Sequence, residues 1–280
     1  MVSRSLDGFA FPVRHSPGAR ARALDVARRV ERASEWLAGR LGFTARIRLS
    51  VANAADWATV ATTSTYGTPQ GSGDHVRFAA DDGWFGAALY ADIAPHAGAA
   101  TAARLRAAYG EPPALRPYFD LVGVHEATHL FQDQAWPDAP GMWISELHAN
   151  LAMVGFAHEV EPESLPALRA LTSTVDELPA WATPVRELAD MAASSEHGVT
   201  NFAWFHFGLT RAAEELWTCF GADALREVFE HVRDGGDADH PVLARVAARW
   251  GQSVSESAGV GRASSGMAAS SVRETMPNLG

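Results

Sequence analysis

The chain has 280 residues, 47% of them hydrophobic, with 23 basic and 33 acidic side chains and a formal net charge of −10, so it is long enough for a sizeable core and carries no basic run to suit nucleic acid or an anionic membrane. Cys219 is the only cysteine, which excludes an intrachain disulfide and a cysteine-based zinc site. No stretch of about 18 uncharged apolar residues occurs and the amino terminus lacks a continuous apolar segment before its prolines, so a cytoplasmic protein is expected.

Residues 1–18 read as an irregular arm broken by Pro12, Pro17 and Gly18. Leu24, Val26, Ala27, Val30, Ala33, Trp36 and Leu37 then recur at helical spacing and predict a helix over Ala19–Arg40. Alternation of Ile47, Leu49 and Val51 with Arg46, Arg48 and Ser50 predicts a strand over Ala45–Val51, followed by a short helix over Ala54–Thr62. Tyr66–Asp74, with three glycines and a proline, reads as a loop, and His75–Ala80 and Trp84–Tyr90 as strands. Helices are predicted over Thr101–Tyr109, Tyr118–Gln134, Trp143–Glu159, Glu163–Thr172, Pro184–Ala193, Asn201–Phe220, Ala222–Arg233 and His240–Trp250. The expected organisation is an α+β domain over 19–250, with a small sheet in 19–120 and helices in 121–250, then a disordered Ser, Gly and Ala-rich tail over 251–280. Cys219, in the apolar stretch Leu216–Gly221, reads as a core residue.

The most informative stretch is His125-Glu126-Ala127-Thr128-His129, an HExxH pattern inside an apolar helical run. Residues four apart lie about 40° apart around a helix, so His125 and His129 present two imidazoles on one face, as zinc requires. Glu126, about 100° round from His125, is placed to take a proton from a metal-activated water. Leu121, Val122, Val124, Leu130 and Phe131 imply burial, where an unpaired His or Glu is costly.

A catalytic zinc takes a third protein ligand. The three-histidine extension would need glycine at Gln132 and histidine at Ala135, so that form is excluded. Glu146, 17 residues after His129, lies among Trp143, Ile144, Leu147, Leu151 and Val154, a face in which a lone carboxylate would be costly unless a cation pairs with it. Asn150 follows one turn later on the same face, where its oxygen either accepts the outer N–H of a ligating histidine or bonds the local backbone. His148, about 200° round from Glu146, is a poor alternative ligand.

His125-Glu126-Ala127-Thr128-His129 followed by Trp143-Ile144-Ser145-Glu146-Leu147-His148-Ala149-Asn150 resembles the gluzincin metallopeptidases, in particular their peptidase-MA-like branch. The resemblance covers roughly Ala19–Trp250, with specificity confined to the zinc motif. It implies a zincin-like fold, one zinc ion on His125, His129 and Glu146, Glu126 as base and then acid, and a peptide or protein substrate paired along an edge strand like His75–Ala80. Leu147 replaces the glycine common after the third ligand, and Phe205 stands where related aminopeptidases carry an oxyanion-stabilising Tyr three residues before a helix glycine, here Gly208. His206 is the nearest polar candidate for that role, a buried core histidine being the competing reading.

The function expected is zinc-dependent hydrolysis of peptide bonds. The alternative is a catalytically silent zinc-binding domain that binds a partner or serves structure, against which retention of Glu126 argues. A di-iron bundle, suggested by Glu126-x-x-His129, lacks a second ExxH element after Glu146.

Overall fold

The computed structural model describes residues 4–138 and 140–251. Its sheet grows from short alternating segments: β1 (Arg4–Leu6), β2 (Val13–His15), β3 (Arg48–Ala52), β4 (Gln70–Ser72) and β5 (His75–Ala79), in the order β1-β2-β3-β5-β4. Strands β2, β3 and β5 run parallel, while β1 and β4 pair antiparallel at the two edges. The register sets Leu49 beside Val76 and Val51 beside Phe78, so these four apolar side chains share one face.

Helices cover that face and continue beyond it: α1 (Arg20–Leu41), the single turn α2 (Ala54–Trp57), α3 (Phe85–Ile93), α4 (Ala99–Tyr109), α5 (Arg116–Ala135), α6 (Met142–Glu159), α7 (Leu165–Thr172), α8 (Val199–Phe220), α9 (Ala222–Arg233) and α10 (241–251). The architecture is α+β, mainly helical with a small mixed sheet near the amino terminus. Helix α1 buries Ala23, Val26, Ala27, Val30, Ala33 and Leu37 as one stripe. Helix α6 is buried almost all round, from Trp143 to Ala157 apart from Ser145, so Glu146, His148 and Asn150 lie within the core. Helix α5 packs between α6 and the sheet; its Gly123 has no room for a side chain, since a Cβ there would lie 2.1 Å from the Phe78 ring.

Several expectations are corrected. The arm of residues 1–18 is not irregular where it is described: β1 and β2 belong to the sheet, three-residue strands being too short to show periodicity. Trp84–Tyr90 is not a strand; α3 forms there because Phe85, Gly86, Leu89 and Ile93 bury at helical spacing. The loop Tyr66–Asp74 contains β4, and the helix expected over Pro184–Ala193 is a 3-10 segment, Leu188–His197. Cys219 is exposed, because the buried stripe of α8 ends on Ala213, Leu216 and Trp217. The tail predicted over 251–280 lies outside the described residues apart from Gly251. Among the described residues no helix is long and apolar enough to cross a membrane.

Candidate metal centre

Helix α5 is held by Leu121, Val124, Ala127, Leu130 and Phe131, all buried, which turns His125 and His129 together towards α6. Their Nε2 atoms are 3.0 Å apart. From α6, Glu146 brings Oε2 to 3.0 Å from His125 Nε2 and Oε1 to 3.5 Å from His129 Nε2. From α8, His206 brings Nδ1 to 3.6 Å from Glu146 Oε2. His125, Glu146 and His206 each offer one ligand atom within 4.8 Å of the others and could hold a metal ion. A tighter set has His129 in place of His206: donors around a tetrahedral zinc at about 2.0–2.1 Å stand about 3.3–3.4 Å apart, which the separations of 3.0–3.5 Å among His125, His129 and Glu146 bracket.

The surrounding hydrogen bonds bear on the fit. Asn150 Oδ1 lies 3.3 Å from His125 Nδ1 and 3.1 Å from Thr210 Oγ1. Thr210 Oγ1 also reaches the His206 carbonyl at 2.7 Å; with the Asn150 oxygen towards the ring, that oxygen accepts from Nδ1–H and turns the His125 Nε2 lone pair towards Glu146. Glu146 Oε2 is buried, with His125 Nε2 at 3.0 Å and His206 Nδ1 at 3.6 Å as close polar neighbours. A lone pair facing an anionic oxygen inside a core is repulsive until a cation stands between them, so the donor set fits a divalent ion. Burial favours the neutral acid of Glu146, but positive charge on His129 and His125 would serve the same end as a metal ion, outweighing burial and holding the carboxyl well below its ordinary value.

Glu126 is half-buried beside this cluster, and its Oε2 accepts the Gly71 N–H at 2.6 Å. Burial pushes its carboxyl up to about 7, with His129 opposing and Glu146 reinforcing, the range suited to taking and returning a proton near neutrality. A cavity of about 60 Å3 opens beside it, lined by Phe85, Tyr118, Phe119, His125, Glu126 and His206 among others. His206 Nε2 is buried without a partner, and burial holds the ring down to about 4, so it is neutral at pH 7. Phe205 is fully buried and stacks on Trp250 at 5.7 Å.

The edge strand is not the one expected. His75–Ala79 lies inside the sheet, and β4 forms the edge. Its Gly71 N–H goes to Glu126, and the adjoining Gly73 N–H goes to Asp133 Oδ2 at 2.6 Å. Two carboxylates of α5, one heptad apart on one face, therefore occupy amides that an extended substrate would need.

Sequence reasoning missed Gln132, whose Oε1 lies 2.7 Å from His129 Nδ1. Its place three residues after His129, on the same helical face, was the available signal. No family model, curated protein or solved structure matches the chain.

Proposed function

We propose that this chain is a zinc-dependent metallopeptidase of the gluzincin type, with a zincin-like fold, hydrolysing peptide bonds and holding one zinc ion on His125, His129 and Glu146. The observation that carries this reading is the convergence of two imidazole nitrogens and the buried Glu146 carboxylate, Oε2 at 3.0 Å from His125 and Oε1 at 3.5 Å from His129, with Glu126 beside them. When bound, zinc polarises the scissile carbonyl and acidifies the attacking water.

The rest falls to the protein. Glu126 takes the water's proton on its carboxylate and returns it to the leaving amine. His206 donates from Nε2, which has no protein partner, to the carbonyl oxygen as negative charge grows there. Asn150, between His125 and Thr210, would keep the first ligand in its Nδ1–H tautomer with its amide oxygen turned to the ring. Phe85, Tyr118 and Phe119 give the cavity apolar walls that limit water around the reacting groups.

Metal analysis and turnover of a peptide library test this together. One zinc per chain is expected, lost in His129→Ala and Glu146→Ala, while Glu126→Gln retains zinc and loses turnover. Full activity of Glu126→Gln overturns the mechanism. A second reading, a zinc-binding domain without catalysis, draws on the engaged Gly71 amide and on Phe205 at the oxyanion position. Stoichiometric zinc with no chelator-sensitive turnover would establish it.

A further inference from the structure

Gln132 lies at the centre of a buried polar cluster that no step above uses. It is 2% exposed and faces four groups. Its Oε1 is 2.7 Å from His129 Nδ1 and 2.6 Å from Ser145 Oγ, while its Nε2 is 2.9 Å from the Ser145 carbonyl and 3.0 Å from His148 Nδ1. These contacts leave one arrangement of the amide. The Ser145 carbonyl can only accept, so the atom facing it must be the amide nitrogen, and the atom facing His129 must be the oxygen. With an acceptor against Nδ1, His129 carries its proton there and presents the Nε2 lone pair to His125 and Glu146.

His148 then has a role although it points away from the ion. Its ring is fully buried, stacked on Phe229 at 5.7 Å and tilted against Trp136 at 5.4 Å, so it cannot turn freely. Its Nδ1 accepts the second N–H of Gln132, which leaves both hydrogens of that amide satisfied and the reversed orientation unfavourable. His129 thus leans on an amide oxygen, and the amide of Asn150 stands beside His125 Nδ1 at 3.3 Å, so each ligating ring abuts a neutral residue rather than a carboxylate.

We infer that Gln132, oriented by Ser145 and His148, is the positioning residue that fixes His129 as an Nε2 metal ligand. The inference rests on the metal-centre reading. Positioning contacts of this kind change metal affinity by about 10–100-fold, so the test reads zinc affinity directly, by competition with a chromophoric chelator. Gln132→Met keeps the side-chain length and removes both amide groups. The full chain carrying it is expected to bind zinc about 10–100-fold more weakly than wild type. A second measurement needs no variant: long-range 1H–15N spectra of zinc-loaded wild-type protein should show His129 protonated on Nδ1. Zinc-binding wild type with unchanged affinity in Gln132→Met, or with His129 protonated on Nε2, overturns the role of Gln132 and leaves the metal centre standing. Wild type that binds no zinc overturns the metal centre itself and this inference with it.

Discussion

Gly71→Ala tests the closest approach in the site. A Cβ at Gly71 would lie 2.2 Å from the Glu126 carbonyl oxygen and 2.9 Å from its carbonyl carbon, where ordinary contact begins near 3.4 Å. About 1.2 Å must be relieved, and every atom in the clash is backbone, so no side chain can swing aside. Helix α5 is anchored by five buried apolar residues around Glu126, whereas β4 is a three-residue edge strand with one partner. The strand therefore moves. Overpacking of this kind costs about 1–3 kcal/mol, and at about 2–4 °C per kcal/mol for a domain of this size Tm should fall by about 2–12 °C. Displacing β4 also lengthens the 2.6 Å Gly71 to Glu126 hydrogen bond. The ligands lie on α5 and α6 and keep their places. The expected result is lower Tm and lower turnover with zinc stoichiometry unchanged, read by calorimetry, peptide hydrolysis and metal analysis. Gly39→Ala is the control of opposite sign: its Cβ meets nothing within 4 Å inside α1, so it should stabilise by about 0.5–1 kcal/mol. Equal Tm and turnover for Gly71→Ala and wild type would refute the close approach.

Two further outcomes follow from buried groups that are not themselves ligands. Burial holds His148 down to about 3, and burial followed by Arg77 and Arg48 holds His75 at about 4. Free imidazole titrates near about 6.5, so the unfolded chain binds these protons first as pH falls. Stability from both rings is complete above about 6.5 and declines from there towards pH 4. Thermal melts in excess chelator, which removes any contribution from zinc release, should show a shallower loss of Tm between pH 7 and 5 in His75→Gln than in wild type, since Glu126 and His206 titrate alike in both. The same pH dependence in His75→Gln and wild type counts against a buried neutral His75. Gly123→Ala places a Cβ 2.1 Å from Phe78 Cζ, between α5 and β5, and should destabilise by about 1–3 kcal/mol. Adding Phe78→Leu shortens the opposing side chain, so the double variant should unfold at higher denaturant than the sum of the single changes allows; simple additivity would place the two residues out of contact.

What could be read from the sequence is what one helix encodes by itself. His125 and His129 share a face because a period of 3.6 puts residues four apart together, and Glu146 and Asn150 stand out because a carboxylate and an amide have no reason to lie among Trp143, Ile144, Leu147 and Leu151 unless something partners them. The joining of α5 to α6 could be anticipated for the same reason. The sheet was legible only where alternation ran long enough, in β3 and β5, and failed in β1, β2 and β4, each three residues long. Its order was out of reach, because which strand forms the edge depends on elements distant in the chain. Gly71 shows why. In sequence it reads as a turn residue, beside Pro69, Ser72 and Gly73. In the fold it lies in a strand, and the missing side chain lets that strand reach Glu126. A glycine permits a turn by its backbone freedom and a close approach by its lack of bulk. These two causes leave the same letter, and only the partner across the gap separates them, so the contact to the proposed general base was hidden at the residue that makes it possible.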